Sequence, residues 1–133
     1  MGNLAFISKS NIKEAVSMVK KSLKKVGLIG CGAIGTVLAQ AIERGLVVCD
    51  ELVVYDVDLQ RAQKLKSSLN FPVTVVDGVD RMLSCKPKVV VEAASQDALK
   101  EYYSILVAAD VDLIVMSTGA LLTLGISSPK VHF

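Results

Sequence analysis

Residues 30–35 read Gly-Cys-Gly-Ala-Ile-Gly, with glycines at the first, third and sixth positions. That spacing carries chemistry only directly after an apolar strand and at the opening of a helix. Both neighbours are present: Val26-Gly27-Leu28-Ile29-Gly30 is strand-like, and a helical pattern runs from Ala33 to Arg44. In that setting Gly30 permits a tight turn, Gly32 keeps a Cβ out of the path of a pyrophosphate, and Gly35 lets the helix pack closely on the strand. The N–H groups of Gly32, Ala33, Ile34 and Gly35, together with the helix dipole, then attract phosphate. A second element follows 21 residues after Gly35, where the apolar run Glu51-Leu52-Val53-Val54-Tyr55 ends in Asp56. An acidic residue there accepts hydrogen bonds from the adenine-ribose hydroxyls, and its charge opposes a 2′-phosphate. Together these residues imply a dinucleotide cofactor, NAD in preference to NADP. Asp56 also has a structural reading as a helix cap, although Asp58 is placed to fill that cap instead.

Other reactive side chains are few. The three cysteines, Cys31, Cys49 and Cys85, are odd in number and irregular in spacing, which argues against a disulfide framework and for a reducing compartment. Cys31 lies inside the glycine loop, where it is either a thiolate stabilised by a helix N-terminus or a small apolar filler. Cys49 and Cys85 read as packing residues. With one histidine and no Cys-x-x-Cys, no metal site is expected.

The elements that must position this loop are legible from periodicity. Short apolar runs alternate with helical stretches, as in successive βαβ units. Strands are expected at 26–30, 51–56, 73–76, 88–93 and 112–116. Helices are expected at 11–24, 33–44, 58–69, 78–84 and 97–109. Gly45 is the stop of the second helix, Asp58 starts the third, and Asp77 is the cap candidate for the fourth. Right-handed crossovers place the strands in one doubly wound parallel sheet, an α/β fold of Rossmann type, in the order 3-2-1-4-5. Such a fold wants a sixth strand, but residues 121–133 show no helix leading to one, and the end reads as an unstructured tail.

The 133 residues suffice for one domain. Hydrophobic residues make up 52% of them, consistent with strands buried on both faces. The net charge of +2 is uneven: residues 1–25 hold six lysines and one glutamate, and the remainder is net acidic. The basic segment repeats Ile12, Ala15, Val16, Val19 and Leu23 at helical spacing, so its lysines read as a solvated face. No nucleic-acid or membrane partner is expected. No signal peptide, myristoylation pattern or membrane-length apolar run is present, and a cytoplasmic location follows as the expectation. The organisation expected is an N-terminal helical extension over 1–25, a dinucleotide-binding domain over 26–122 and a tail over 123–133.

Three stretches together are more specific. Val26–Gly35, then Val89-Val90-Val91-Glu92-Ala93-Ala94-Ser95-Gln96, then Val115-Met116-Ser117-Thr118-Gly119-Ala120-Leu121 resemble the L-aspartate dehydrogenase family, and more loosely the NAD(P)-binding domains of homoserine dehydrogenases. The resemblance covers about residues 26–122. It implies an oxidoreductase that deaminates L-aspartate through an imine to oxaloacetate, with hydride transfer to NAD(P). It places Ala94, Ser95 and Gln96, and then Ser117 and Thr118, near the nicotinamide half. Ser95 and Ser117 have capping as their alternative role.

The family continues into a half with a catalytic histidine, substrate-carboxylate ligands and an oligomerisation sheet. The segment 123–133 does not resemble that continuation. His132 is not expected to be catalytic, and Arg44, Arg61 and Arg81 are expected on or beside helices, away from the carboxyl edge of the sheet. No catalytic residue is therefore assigned. The chain reads as the NAD(P)-binding half of such an oxidoreductase, either truncated or completed by another chain, with a homo-oligomer or a missing catalytic chain as the expected partner. The alternative is a stand-alone NAD-binding sensor or interaction module.

Overall fold

The computed structural model describes residues 24–116 and the backbone of 131–132. Ten elements are present among these: β1 (Lys25–Ile29), α1 (Ala33–Glu43), β2 (Glu51–Tyr55), α2 (Leu59–Ser68), β3 (Val73–Val75), α3 (Val79–Ser84), β4 (Val89–Glu92), α4 (Gln96–Ala108), β5 (Asp112–Val115) and β6 (Val131–His132). The strands form one parallel sheet in the order β3-β2-β1-β4-β5-β6. The first five strands follow the expected order, and nearly every expected boundary within residues 24–116 lies within one residue of the observed one. The expected helix over 11–24 lies almost wholly outside the described residues.

Helices cover both faces, which is why the strands read as continuous apolar runs rather than alternating ones. Along β2, Leu52 and Val54 point into one core with Ala39 and Ile42 of α1 and Ala62 and Leu65 of α2. Val53 points the other way, into a second core with Met82 of α3 and Leu99 and Leu106 of α4. Gly27 of β1 leaves room for Met82: a Cβ there would lie 2.7 Å from its sulfur.

Helix ends follow local chemistry. Gly45 adopts φ 81° after α1, with its N–H donating to the Ile42 carbonyl and that of Leu46 to the Ala41 carbonyl. This pair of bonds is a Schellman motif. Asp58 caps α2 by accepting from the Gln60 N–H at 3.1 Å. Helix α3 corrects the expectation for Asp77: its N-cap is Gly78, with no side-chain bond, because the helix starts one residue later than a cap at Asp77 needs.

The C-terminal end is also corrected. Val131 and His132 are not unstructured: they pair in parallel with Leu113 and Ile114 of β5, supplying the sixth strand. Two residues are too few to show a pattern in sequence, and the edge of β5 offers the ladder that orders them. Among the described residues no helix is long and apolar enough to cross a membrane.

Candidate functional site

Parallel strands aim their carboxyl ends at one edge of the sheet, and β1, β2 and β4 deliver their following loops there side by side. Ligands of open α/β sheets bind at this edge, where the chain's direction of winding reverses. The ladder carries on into the loops. The Gly30 N–H donates to the Tyr55 carbonyl at 2.8 Å, and the Ala93 N–H donates to the Ile29 carbonyl at 2.8 Å.

The three loop glycines have three separate causes. Gly30 sits at φ 99°, and a Cβ on it would lie 2.6 Å from the Ala94 nitrogen. A Cβ on Gly35 would collide with the carbonyl oxygen of Gly30, so the helix approaches the turn only because that atom is missing. A Cβ on Gly32 would meet nothing within 4 Å. No packing demand of the described protein requires glycine at that position, and the open space beside it is the approach a pyrophosphate needs.

Helix α1 starts at Gly32 with no side-chain cap and no acidic residue in its first turn. Its first intrahelical bond here is Thr36 N–H to the Gly32 carbonyl at 2.9 Å, so the N–H groups ahead of it are unused by the helix. Helices α2 and α4, in contrast, are capped by Asp58 and Ser95. Helix α3 is likewise uncapped, at Gly78, but of the two uncapped ends it is that of α1 that lines the cleft, and it suits an anion.

Asp56 is buried, at 8% exposure. Its Oδ2 accepts from the Cys31 N–H at 2.8 Å and its Oδ1 accepts from the Asp58 N–H at 2.8 Å. It therefore ties the glycine loop to the turn after β2, while Asp58 does the capping. A carboxylate has about four lone-pair sites, so two bonds leave capacity for ribose hydroxyls.

The cleft between these loops has a volume of about 220 Å³ and is lined by Gly30, Gly32, Asp56, Ala94 and Ser95 among others. Ala33, Ile34 and Gly35 lie in the first turn of α1, with Ile34 exposed. Ser95 takes its capping role: its Oγ accepts from the Ala98 N–H at 3.1 Å. Gln96 is the exposed first residue of α4. Ser117 and Thr118 lie outside the described residues.

Three features add to or correct the sequence reading. Arg61 lines the cleft, contrary to the expectation that it points away from the carboxyl edge. Helix α2 begins so soon after Asp56 that its first turn still belongs to that edge. Tyr55 and Tyr102 meet at the cleft wall with hydroxyls 3.3 Å apart and rings edge to face. They are 47 residues apart, and the spacing gave no signal for the pair. Glu92, at the end of β4, is fully buried and its Oε2 accepts from the Ala94 N–H at 2.9 Å, holding the loop that Gly30 packs against.

Cys31 proves to be the filler. It is 6% exposed, and burial together with the nearby Asp56 charge pushes its thiol up to about 12. A thiol in that state is a poor nucleophile. Cys49 and Cys85 pack against the two cores, and all three cysteines are unbonded.

Residues 30–126 match the family described as homoserine dehydrogenase, NAD binding domain. The L-aspartate dehydrogenase of Archaeoglobus fulgidus is 43% identical over 96 residues, which are 71% of this chain and 35% of that protein. That of Methanothermobacter thermautotrophicus is 37% identical over 102 residues, 75% of this chain and 38% of that one. The chain thus spans little more than a third of the length of these curated relatives. Among solved structures, a myo-inositol dehydrogenase from Corynebacterium glutamicum matches with a TM-score of 0.64 at 18% identity, over 82% of this chain and 35% of that one. At that identity the likeness concerns architecture alone.

Proposed function

Because this chain belongs to the homoserine dehydrogenase NAD-binding-domain family, we propose that it is the NAD-binding domain of an aspartate dehydrogenase-like oxidoreductase. The reaction would be oxidation of L-aspartate to iminoaspartate, with the hydride from the substrate's α-carbon passing to NAD and a proton released, followed by hydrolysis of the imine to oxaloacetate and ammonia. The observation that carries the binding role is the uncapped N-terminus of α1 opening at Gly32, beside the carboxylate of Asp56.

Bound NAD supplies the hydride acceptor. The chain's own residues bind and orient it. The N–H groups of Gly32, Ala33, Ile34 and Gly35 hold the pyrophosphate, and Gly30 sets the turn that aims them. Asp56 orients the adenine ribose. Ala94, Ser95 and Gln96 border the cofactor on the β4 side, and Ser117 and Thr118 extend that wall toward the nicotinamide. Aspartate itself needs cations that fix two carboxylates. Arg61 is the arginine that lines the cleft among the described residues, so the substrate ligands are assigned to a further half: a continuation of the chain, a second copy or a separate subunit. Exposed Ile34 and Val37 on α1, at 54% and 66%, support such an apolar contact. Three unbonded cysteines fit a cytoplasmic setting.

The second reading, a non-catalytic NAD-binding module, draws on the same shortage of substrate cations at the cleft. Calorimetric titration with NAD, run beside an aspartate-dependent NADH assay, separates the two. Binding with turnover supports the enzyme, binding without turnover supports a domain that needs its partner or acts as a module, and absence of binding defeats both.

A further inference from the structure

The amino ends of β1, β4 and β5 lie side by side, at the sheet edge opposite the glycine loop. They border a recess of about 570 Å³, larger than the cleft. Four lysines line it, Lys24, Lys25, Lys86 and Lys88, against two carboxylates, Asp110 and Asp112. We propose that this recess is a second ligand site, separate from the cleft, which binds a small molecule carrying two or more phosphate groups, with Lys24, Lys86 and Lys88 as its cations.

The sheet ladder brings these lysines together. The Lys88 N–H donates to the Lys25 carbonyl at 2.9 Å, and the Asp112 N–H donates to the Lys88 carbonyl at 3.4 Å. The two lysines that open β1 therefore stand beside the two ahead of β4. Pro87 is buried between exposed Lys86 and Lys88, and its ring fixes the backbone that carries them. Lys24 and Lys25 are also the last two of the six lysines in the basic segment 1–25, whose charge the dinucleotide reading leaves unused.

Three of the four lysines are uncommitted. Lys25 lies 3.8 Å from Glu51, whose other carboxylate oxygen accepts from the Thr74 hydroxyl on β3. Lys24, Lys86 and Lys88 have no ion pair among the described residues. Lys86 is also the one non-glycine residue with positive φ among them, at 57°. It follows the C-cap of α3, where glycine is the usual solution, so what lysine adds there is its charge. A cation after a helix end accounts for one lysine. It does not account for Lys24 and Lys88, which come from strand starts. Ammonium groups gathered in one recess repel one another, and a ligand with several negative charges relieves that repulsion. Asp110 and Asp112 oppose any anion, so a single contact does not suffice and the ligand must reach several lysines at once. Lysine suits phosphate as a point charge, without a fixed fork geometry.

The test follows inorganic triphosphate binding to the 133-residue protein by calorimetry at low salt, with saturating NAD to keep the probe out of the cleft. Wild type is expected to bind triphosphate with an affinity that NAD does not change. Lys86→Gly removes the charge and relieves the positive φ, so folding is protected. Combined with Lys88→Gln, it should weaken triphosphate about tenfold, the product of two exposed charge contacts, and leave NAD affinity unchanged. Lys88→Arg keeps the charge and should bind as wild type does. ATP binding more tightly than triphosphate identifies a nucleotide as the ligand, and equal affinity identifies the phosphate chain alone. Triphosphate that NAD displaces, that binds the double variant as tightly as wild type, or that does not bind at all overturns the proposal. Failure of NAD to bind is a different result: it defeats the dinucleotide reading, and the lysine variants still decide this one.

Discussion

The backbone N–H of Cys31 lies 2.8 Å from Oδ2 of Asp56, joining the loop after β1 to the end of β2 across 25 residues of sequence. The same carboxylate holds the Asp58 N–H through its other oxygen. Asp56 thus shapes the glycine loop, and under the proposed function it also orients the adenine ribose. Its two roles need separate variants.

Asp56→Asn keeps the shape of the side chain but removes the charge. Hydrogen bonds to charged groups contribute about 1.5–3 kcal/mol, so the folded state should lose stability on that scale, read as a lower denaturant midpoint. Asp56→Ala should weaken NAD binding more than NADP binding. Equal losses would remove Asp56 from the ribose.

Gly32→Ala and Gly35→Ala separate binding from folding. The added methyl at position 32 meets only open space, so thermal stability should be nearly unchanged while NAD affinity falls at least tenfold. At position 35 it meets the Gly30 carbonyl oxygen, and overpacking of that kind costs typically 1–3 kcal/mol or more. Differential scanning calorimetry and NAD titration on the two variants should give opposite patterns.

Cys31 sets a pH dependence. Its folded thiol is raised from 9.0 to about 12, so the folded state favours the protonated form. This contribution to stability is full below about pH 9, where the unfolded thiol is also protonated, and is lost as pH climbs from there toward 12. Cys31→Ala should flatten that part of the stability–pH curve. At pH 8, iodoacetamide should modify half-buried Cys49 and Cys85 well before Cys31.

Tyr55 and Tyr102 give an optical handle. The chain has no tryptophan and three tyrosines, and two of these line the cleft. NAD should quench tyrosine emission, and Tyr102→Phe should remove part of that signal while costing about 1 kcal/mol of stability for the lost hydroxyl contact.

How much of this was readable in sequence depends on how local each cause is. Gly30 needs its positive φ and Gly35 its contact with the Gly30 carbonyl within one turn, so spacing alone located both, whereas the Ala94 backbone that also crowds Gly30 comes from the loop after β4 and left no local signal. Asp56 and Asp58 compete for one cap, and spacing alone also sorted them correctly. Arg61 was misplaced because its direction depends on where α2 begins relative to the sheet edge, which strand and helix patterns give only to a residue or so. The Tyr55–Tyr102 pair depends on β2 and α4 meeting across the fold. Strand β6 is two residues long, and it exists because β5 offers it an edge.

The strand order has a consequence for the growing chain. β1 is the earliest described strand, yet it lies inside the sheet, with β2 on one side and β4 on the other. Once Val75 has emerged, every residue of β1, β2 and β3 and of α1 and α2 on one face is available, so the glycine loop and Asp56 can be joined before β4 exists. β4 then pairs with β1 at the opposite edge, β5 with β4 and β6 with β5, and none must insert between strands already paired. The first half is left to wait with one face bare, since Met82, Leu99 and Leu106 of the second core are made later. Synthesis from the N-terminus therefore favours a nascent intermediate with the nucleotide loop built and the opposite face of its sheet open to other chains.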